Sequence, residues 1–231
     1  MVGLAEGLFA RRSVSLTGAA VLGSLTAVTT VITAPIQPSF PMLPFLKFDP
    51  AEVFSVLAFL IFGPIPALIT ATVHWIFLTA TASGPLGPAV KFAAVLSTLL
   101  GLWLGSQVYH RLSARYQQLS VALGSMLAMS ALTRVVMLLV VNYFVFTYIG
   151  PVIFGFQYLT FSQQTLQMTL GLHFAGPWEV LMAMLFYTSI YNALHAVFSV
   201  VIPYLLFTPL SLKVPEIASG HPWISRFTSR R

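Results

Sequence analysis

Two polar side chains, Asn192 and His195, sit inside the apolar run TSIYNALHAVFSVVIPYLL, Thr188 to Leu206. The amide can donate and accept hydrogen bonds, and the imidazole titrates near neutral pH. Both are costly in hydrocarbon, so such residues usually face a bundle interior or a cavity. Spaced i, i+3, they share one helix face. Asn142 lies in a second apolar run, VVMLLVVNYFVF, and Lys47 in a proline-rich connector. A few polar groups in an aromatic and aliphatic lining are the usual make-up of a small-molecule pocket. The competing role is hydrogen bonding between helices, on average ~0.6 kcal/mol in a membrane bundle. The residues alone leave both roles open. For His74, beside Trp75, helix packing is the simpler role. Arg134 is expected to snorkel to the inner headgroups.

Other chemistry finds no footing. The pattern G-x-x-x-x-G-K-[ST] is absent, so the chain itself should not hold ATP on a P-loop. Neither H-E-x-x-H nor G-x-S-x-G occurs, and no two histidines are i, i+4. Cysteine is absent and acids number only 5. Of these, Asp49 and Glu52 fit the start of a helix, as an N-cap side chain and a first-turn acid around Pro50. We assign no catalytic residue, no metal ligand and no cofactor, and expect no enzyme.

The elements that carry these residues are membrane spans. The 231 residues are 58% hydrophobic and 7% charged, against about 25% charged in a soluble domain. Mean hydropathy is +0.90. We expect an all-α, six-helix bundle forming one membrane domain over 1–231, embedded from about residue 16 to 207. The predicted helices are Leu16–Thr33, Pro50–Phe62, Ala67–Ala80, Ala89–Tyr109, Val121–Phe146 and Trp178–Phe207. The connector APIQPSFPMLPFLKFDPAE is too rich in proline for a helix, and GPIP marks a tight turn. Thr147–Pro177 is either a lid over a pocket or an interfacial helix.

With the N-terminus inside, the cytoplasmic side holds Arg11, Arg12, Arg111, Arg115, Lys213, Arg226, Arg230 and Arg231. The outside holds Lys47 and Lys91. This bias places both termini in the cytoplasm. The net charge of +6 is thus explained by membrane orientation, and no nucleic-acid partner is expected. Ala19, Gly23 and Ala27 recur every four residues, with Ala20 and Ser24 alongside. Such a row admits another helix at close range, from within the bundle or from a partner.

Read in order, three stretches resemble the riboflavin-binding S component of energy-coupling factor (ECF) transporters. They are FPMLPFLKFDPAEVFSVLAFLIFGPIPALI, TRVVMLLVVNYFVF, and YNALH at the place of the family's Asn-x-x-Lys. The resemblance runs from about Thr17 to Leu206. It implies a multi-pass protein of a prokaryotic cell membrane that captures riboflavin from outside through an outward-facing pocket. It further implies delivery with a transmembrane coupling subunit and two separate ATPase subunits. Carried over, flavin contacts fall on Asn142, Asn192, His195, Phe45, Leu46 and Lys47, with His74 as a further candidate. The coupling subunit would meet Ala19, Gly23 and Ala27. The chain departs from the family at His195, at His74-Trp75 in place of Lys-Asn, and at Ala71 in place of an acid. Outside the resemblance, a secondary transporter or channel for another solute is the alternative. A membrane scaffold whose polar residues only join helices is a third.

Overall fold

Glycine and proline punctuate a chain that is otherwise helical. The computed structural model describes residues 2–82, 84–112, 119–155 and 157–213. Arg115, His221, Arg226, Arg230 and Arg231 lie outside the described residues. Helix α1, Val2–Thr33, ends where Pro35 enters a 3-10 turn, Ala34–Ile36. The proline-rich connector then folds into a small hairpin, β1 Ser39–Phe40 antiparallel to β2 Leu43–Lys47. Helix α2 is Glu52–Phe62 and α3 is Pro64–Thr81. The expected tight turn joins them: Gly63 takes φ 96°, and Pro64 opens α3 at a position that needs no N–H.

Helix α4, Leu86–Leu112, is followed by α5, Leu119–Phe144. A π-helical turn, Val145–Ile149, carries α5 on into α6, Gly150–Phe154. Helix α7 is Gln157–Leu170, and α8 is Pro177–Lys213. The last runs past the predicted end because Pro203 and Pro209 are accommodated inside it, as membrane helices allow.

Among the described residues, 5 helices are long and apolar enough to cross a membrane. The expected second span is not one of them. With 11 residues, α2 rises only about 16 Å, roughly half of a hydrocarbon core. It is apolar all round because it is surrounded: α1, α3, α4 and α8 pack against it, and Val56, Ala58, Phe59 and Leu60 are buried in the main core. A second cluster, including Phe40, Leu43, Phe146, Met184 and Tyr191, fastens the hairpin to α8 and the π-helical turn.

The tightest helix contact joins α4 to α5. Along GLWLG, a Cβ on Gly101 would overlap the Thr133 hydroxyl and the Ser130 backbone, and one on Gly105 would overlap the Met126 backbone. The close approach lets Ser130 donate to the Thr98 carbonyl at 3.0 Å and Thr133 to the Ser97 carbonyl at 2.8 Å. Gly101→Ala should therefore force α4 and α5 apart and cost ~1–3 kcal/mol. Thermal unfolding in detergent checks this, with Gly124→Ala as control, since a Cβ there meets nothing.

Candidate ligand cavity

The hairpin, α4, α5 and α8 enclose a cavity of about 790 Å³. Phe45, Leu46, Leu138 and Phe146 supply apolar walls, and Phe45 meets Phe146 edge-on at 6.3 Å. Three elements bring the predicted polar residues together. Lys47 comes from β2, Asn142 from α5, and Asn192 and His195 from α8; all four line the cavity.

Its deep end is built on a buried ion pair. Arg134, on α5, is 1% exposed, and Glu52, at the start of α2, is 2% exposed. Two guanidinium nitrogens of Arg134 reach the two Glu52 oxygens, Nη1 to Oε2 at 2.7 Å and Nη2 to Oε1 at 3.2 Å. Ser199 donates to Glu52 Oε2 at 3.0 Å, and Arg134 Nη1 donates to Thr98 Oγ1 at 3.0 Å. These bonds meet the demand that a buried charge be paired and its remaining groups satisfied. They overturn two expectations. Arg134 does not snorkel, because its partners hold it in the interior. Glu52 does not serve as a capping acid, because both of its oxygens face Arg134. Asp49 keeps part of its assigned role: Oδ1 accepts from the Ala51 N–H at 2.8 Å. Its other oxygen pairs with Lys91.

Arg134 also sets how the neighbouring groups point. Its Nε donates to Asn192 Oδ1 at 3.3 Å, while Asn192 Nδ2 donates to the Thr188 carbonyl at 2.9 Å. A guanidinium only donates and a carbonyl only accepts, so the amide orientation is fixed by its partners. One Nδ2–H remains unspent. Arg134 Nη2 likewise faces His195 Nδ1 at 3.1 Å, which makes Nδ1 the acceptor and puts the proton of the neutral ring on Nε2. Tyr191 donates to the Lys47 carbonyl at 2.6 Å, and its hydroxyl lies 2.9 Å from His195 Nδ1. The hairpin is thereby tied to the polar end of the cavity.

Asn142 is different. It is 5% exposed, it lines the cavity, and its amide makes no hydrogen bond to another described residue. A buried amide is normally paired, so both its donor and its acceptor are available to a ligand.

Two assignments made from sequence need correcting. His74 does not line the cavity. It is buried behind Asp49, with Nε2 at 3.0 Å from the Thr30 hydroxyl and 3.9 Å from Asp49 Oδ2. Ala19 and Gly23 do not form a free docking strip. Ala19 is wholly buried and its carbonyl accepts from Thr70. A Cβ on Gly23 would stand 3.0 Å from the Val73 side chain. Ala27 is half-buried on the same side. The row packs α1 onto α3 within the chain, while Ala20 and Ser24 face outward. Gly23→Leu should accordingly lower thermal stability and ligand affinity together, which melting and ligand titration of one preparation would show.

Helix α7, inside the expected lid-or-interface segment, has features of both. Gln157 and Phe161 line the cavity, whereas Met168 is 80% exposed. The sequence reading also missed Glu52 and Arg134 as partners. Their signal was available: two opposite charges on apolar helices must find each other or leave the membrane.

The described helices thus form a membrane bundle holding a cavity with a charge-balanced deep end. The same fold occurs in the S component of a bacterial ECF transporter, with a TM-score of 0.63. The match covers 87% of this chain and 99% of that one at 20% identity, and it establishes the fold. No family model matches the chain, and no curated protein matches its sequence.

Proposed function

We propose that this protein is the substrate-capture subunit of an ECF-type vitamin importer and that it binds riboflavin. The observation that carries the reading is Asn142, a buried amide with no partner among the described residues, lining a cavity with aromatic walls. A flavin ring offers what such a site lacks. Its apolar faces suit the Phe45, Leu46 and Phe146 walls, and its edge carries carbonyl and N–H groups that an amide can pair. Asn192 adds one free N–H. Both acids in the lining face cations, Asp49 with Lys91 and Glu52 with Arg134, which suits a neutral ligand.

The hairpin and the start of α8 lie at the outer ends of the spans if both termini are cytoplasmic, and the cavity between them then faces outward. Riboflavin then enters from outside and leaves through a coupling subunit, with ATP hydrolysed by two separate ATPase subunits. Any docking on α1 uses the face with Ala20 and Ser24, since the Ala19 and Gly23 face is occupied by α3. The test is titration of riboflavin into the purified protein. Saturable quenching of flavin fluorescence at one ligand per chain supports the reading. Folded protein that leaves flavin fluorescence unchanged contradicts it.

A further inference from the structure

Thr188 lines the cavity one turn above Asn192 on α8. The residue is 2% exposed, and its hydroxyl oxygen is buried without a hydrogen-bond partner. Most threonines in these helices behave otherwise. Thr72, Thr79, Thr98, Thr133 and Thr165 each donate to the carbonyl four residues back, the ordinary local outlet for a helical hydroxyl. Thr188 takes no such outlet, although its own carbonyl accepts from Asn192. Among the described residues Ser55 and Thr147 also carry buried unpaired hydroxyls, and neither lines the cavity. An orphaned buried hydroxyl is costly and calls for a partner. Beside this cavity the Asn142 amide, on the facing helix, is also unspent on any described residue.

We infer that Thr188 is a ligand-binding residue whose hydroxyl hydrogen-bonds a polar atom of the bound flavin. The inference rests on the flavin reading above. A hydroxyl both donates and accepts, so it can serve a ring carbonyl or a hydroxyl of the side chain. The Asn142 amide and the free Asn192 N–H hold other polar atoms of the same ligand.

The test is Thr188→Val, which keeps the volume and the β-branch and removes the hydroxyl. Since that hydroxyl is unpaired in the empty protein, the ligand-free variant should melt at the wild-type temperature or above it. Its affinity for riboflavin should fall about 5- to 150-fold, the effect of stranding one polar group of the ligand. Thr188→Ser, which restores the hydroxyl, should recover most of that affinity. A merely structural threonine would instead lower melting temperature and affinity together, and that result overturns the inference. So does riboflavin binding by Thr188→Val as tight as by wild type, an outcome that leaves the flavin reading standing. Wild-type protein that does not bind riboflavin sinks the flavin reading, and the role of Thr188 falls with it.

Discussion

Arg134→Met should destabilise the protein by ~3–5 kcal/mol and abolish ligand binding, because it leaves the Glu52 carboxylate buried without its partner. In the intact chain five hydrogen-bond contacts radiate from this guanidinium, to Glu52, Thr98, Asn192 and His195. Removing it therefore affects α2, α4 and α8 at once. The double variant Arg134→Met, Glu52→Leu separates the two consequences. Replacing both charges with apolar side chains of similar size is often neutral or better for stability, so much of the lost melting temperature should return. Binding should not return, since Asn192 and His195 remain without the donor that orients them. Thermal unfolding and riboflavin titration of the single and double variants provide the comparison. An Arg134→Met protein as stable as wild type would mean that the arginine reaches the headgroups after all.

Asn142→Leu should show the opposite pattern. Its amide is buried but makes no bond to a described residue, so the empty protein should lose no stability and could gain some. Affinity should fall about 5- to 150-fold, the cost of stranding a polar ligand group in an apolar wall. Asn192→Leu, by contrast, should lower both quantities, because Asn192 bonds Arg134 and the Thr188 carbonyl as well as facing the cavity. The contrast between two asparagines lining one cavity is a stricter test than either alone. Equal affinity of Asn142→Leu and wild type would remove Asn142 from the site.

Much of this could be read from the chain because hydrophobicity and punctuation act locally. Long apolar runs gave α3, α4 and α5 to within three residues at each end, α1 at its end and α8 at its start. Gly63-Pro64 gave the turn between α2 and α3, and the prolines of the connector excluded helix there. Asn192 and His195 stood out because polar groups in hydrocarbon need a reason. The remainder depends on distant pairings. Whether Glu52 caps its own helix or faces an arginine 82 positions away is decided by where the bundle sets the start of α2 relative to α5 and α8. The same is true of Ala19 and Gly23: a small-residue row marks a close approach without saying to what, and here it is α3. The GLWLG row of α4 carries the same signal and went unread, although it makes the tightest contact in the bundle. Nor could helix α2 be told from a span by composition, because a buried central helix and a lipid-facing one are both apolar all round. Thr188 is legible only in three dimensions, since an unpaired hydroxyl is defined by what fails to reach it.

The central claim is that the cavity of this chain holds riboflavin, and the most direct measurement is the absorption spectrum of protein purified from flavin-containing cells. The account predicts a yellow preparation with flavin bands, from which denaturation releases about one riboflavin per chain. Wild-type protein should carry that flavin, while Asn142→Leu and Thr188→Val, equally folded, should carry much less. A colourless, folded wild-type protein that remains colourless after incubation with riboflavin would contradict the account.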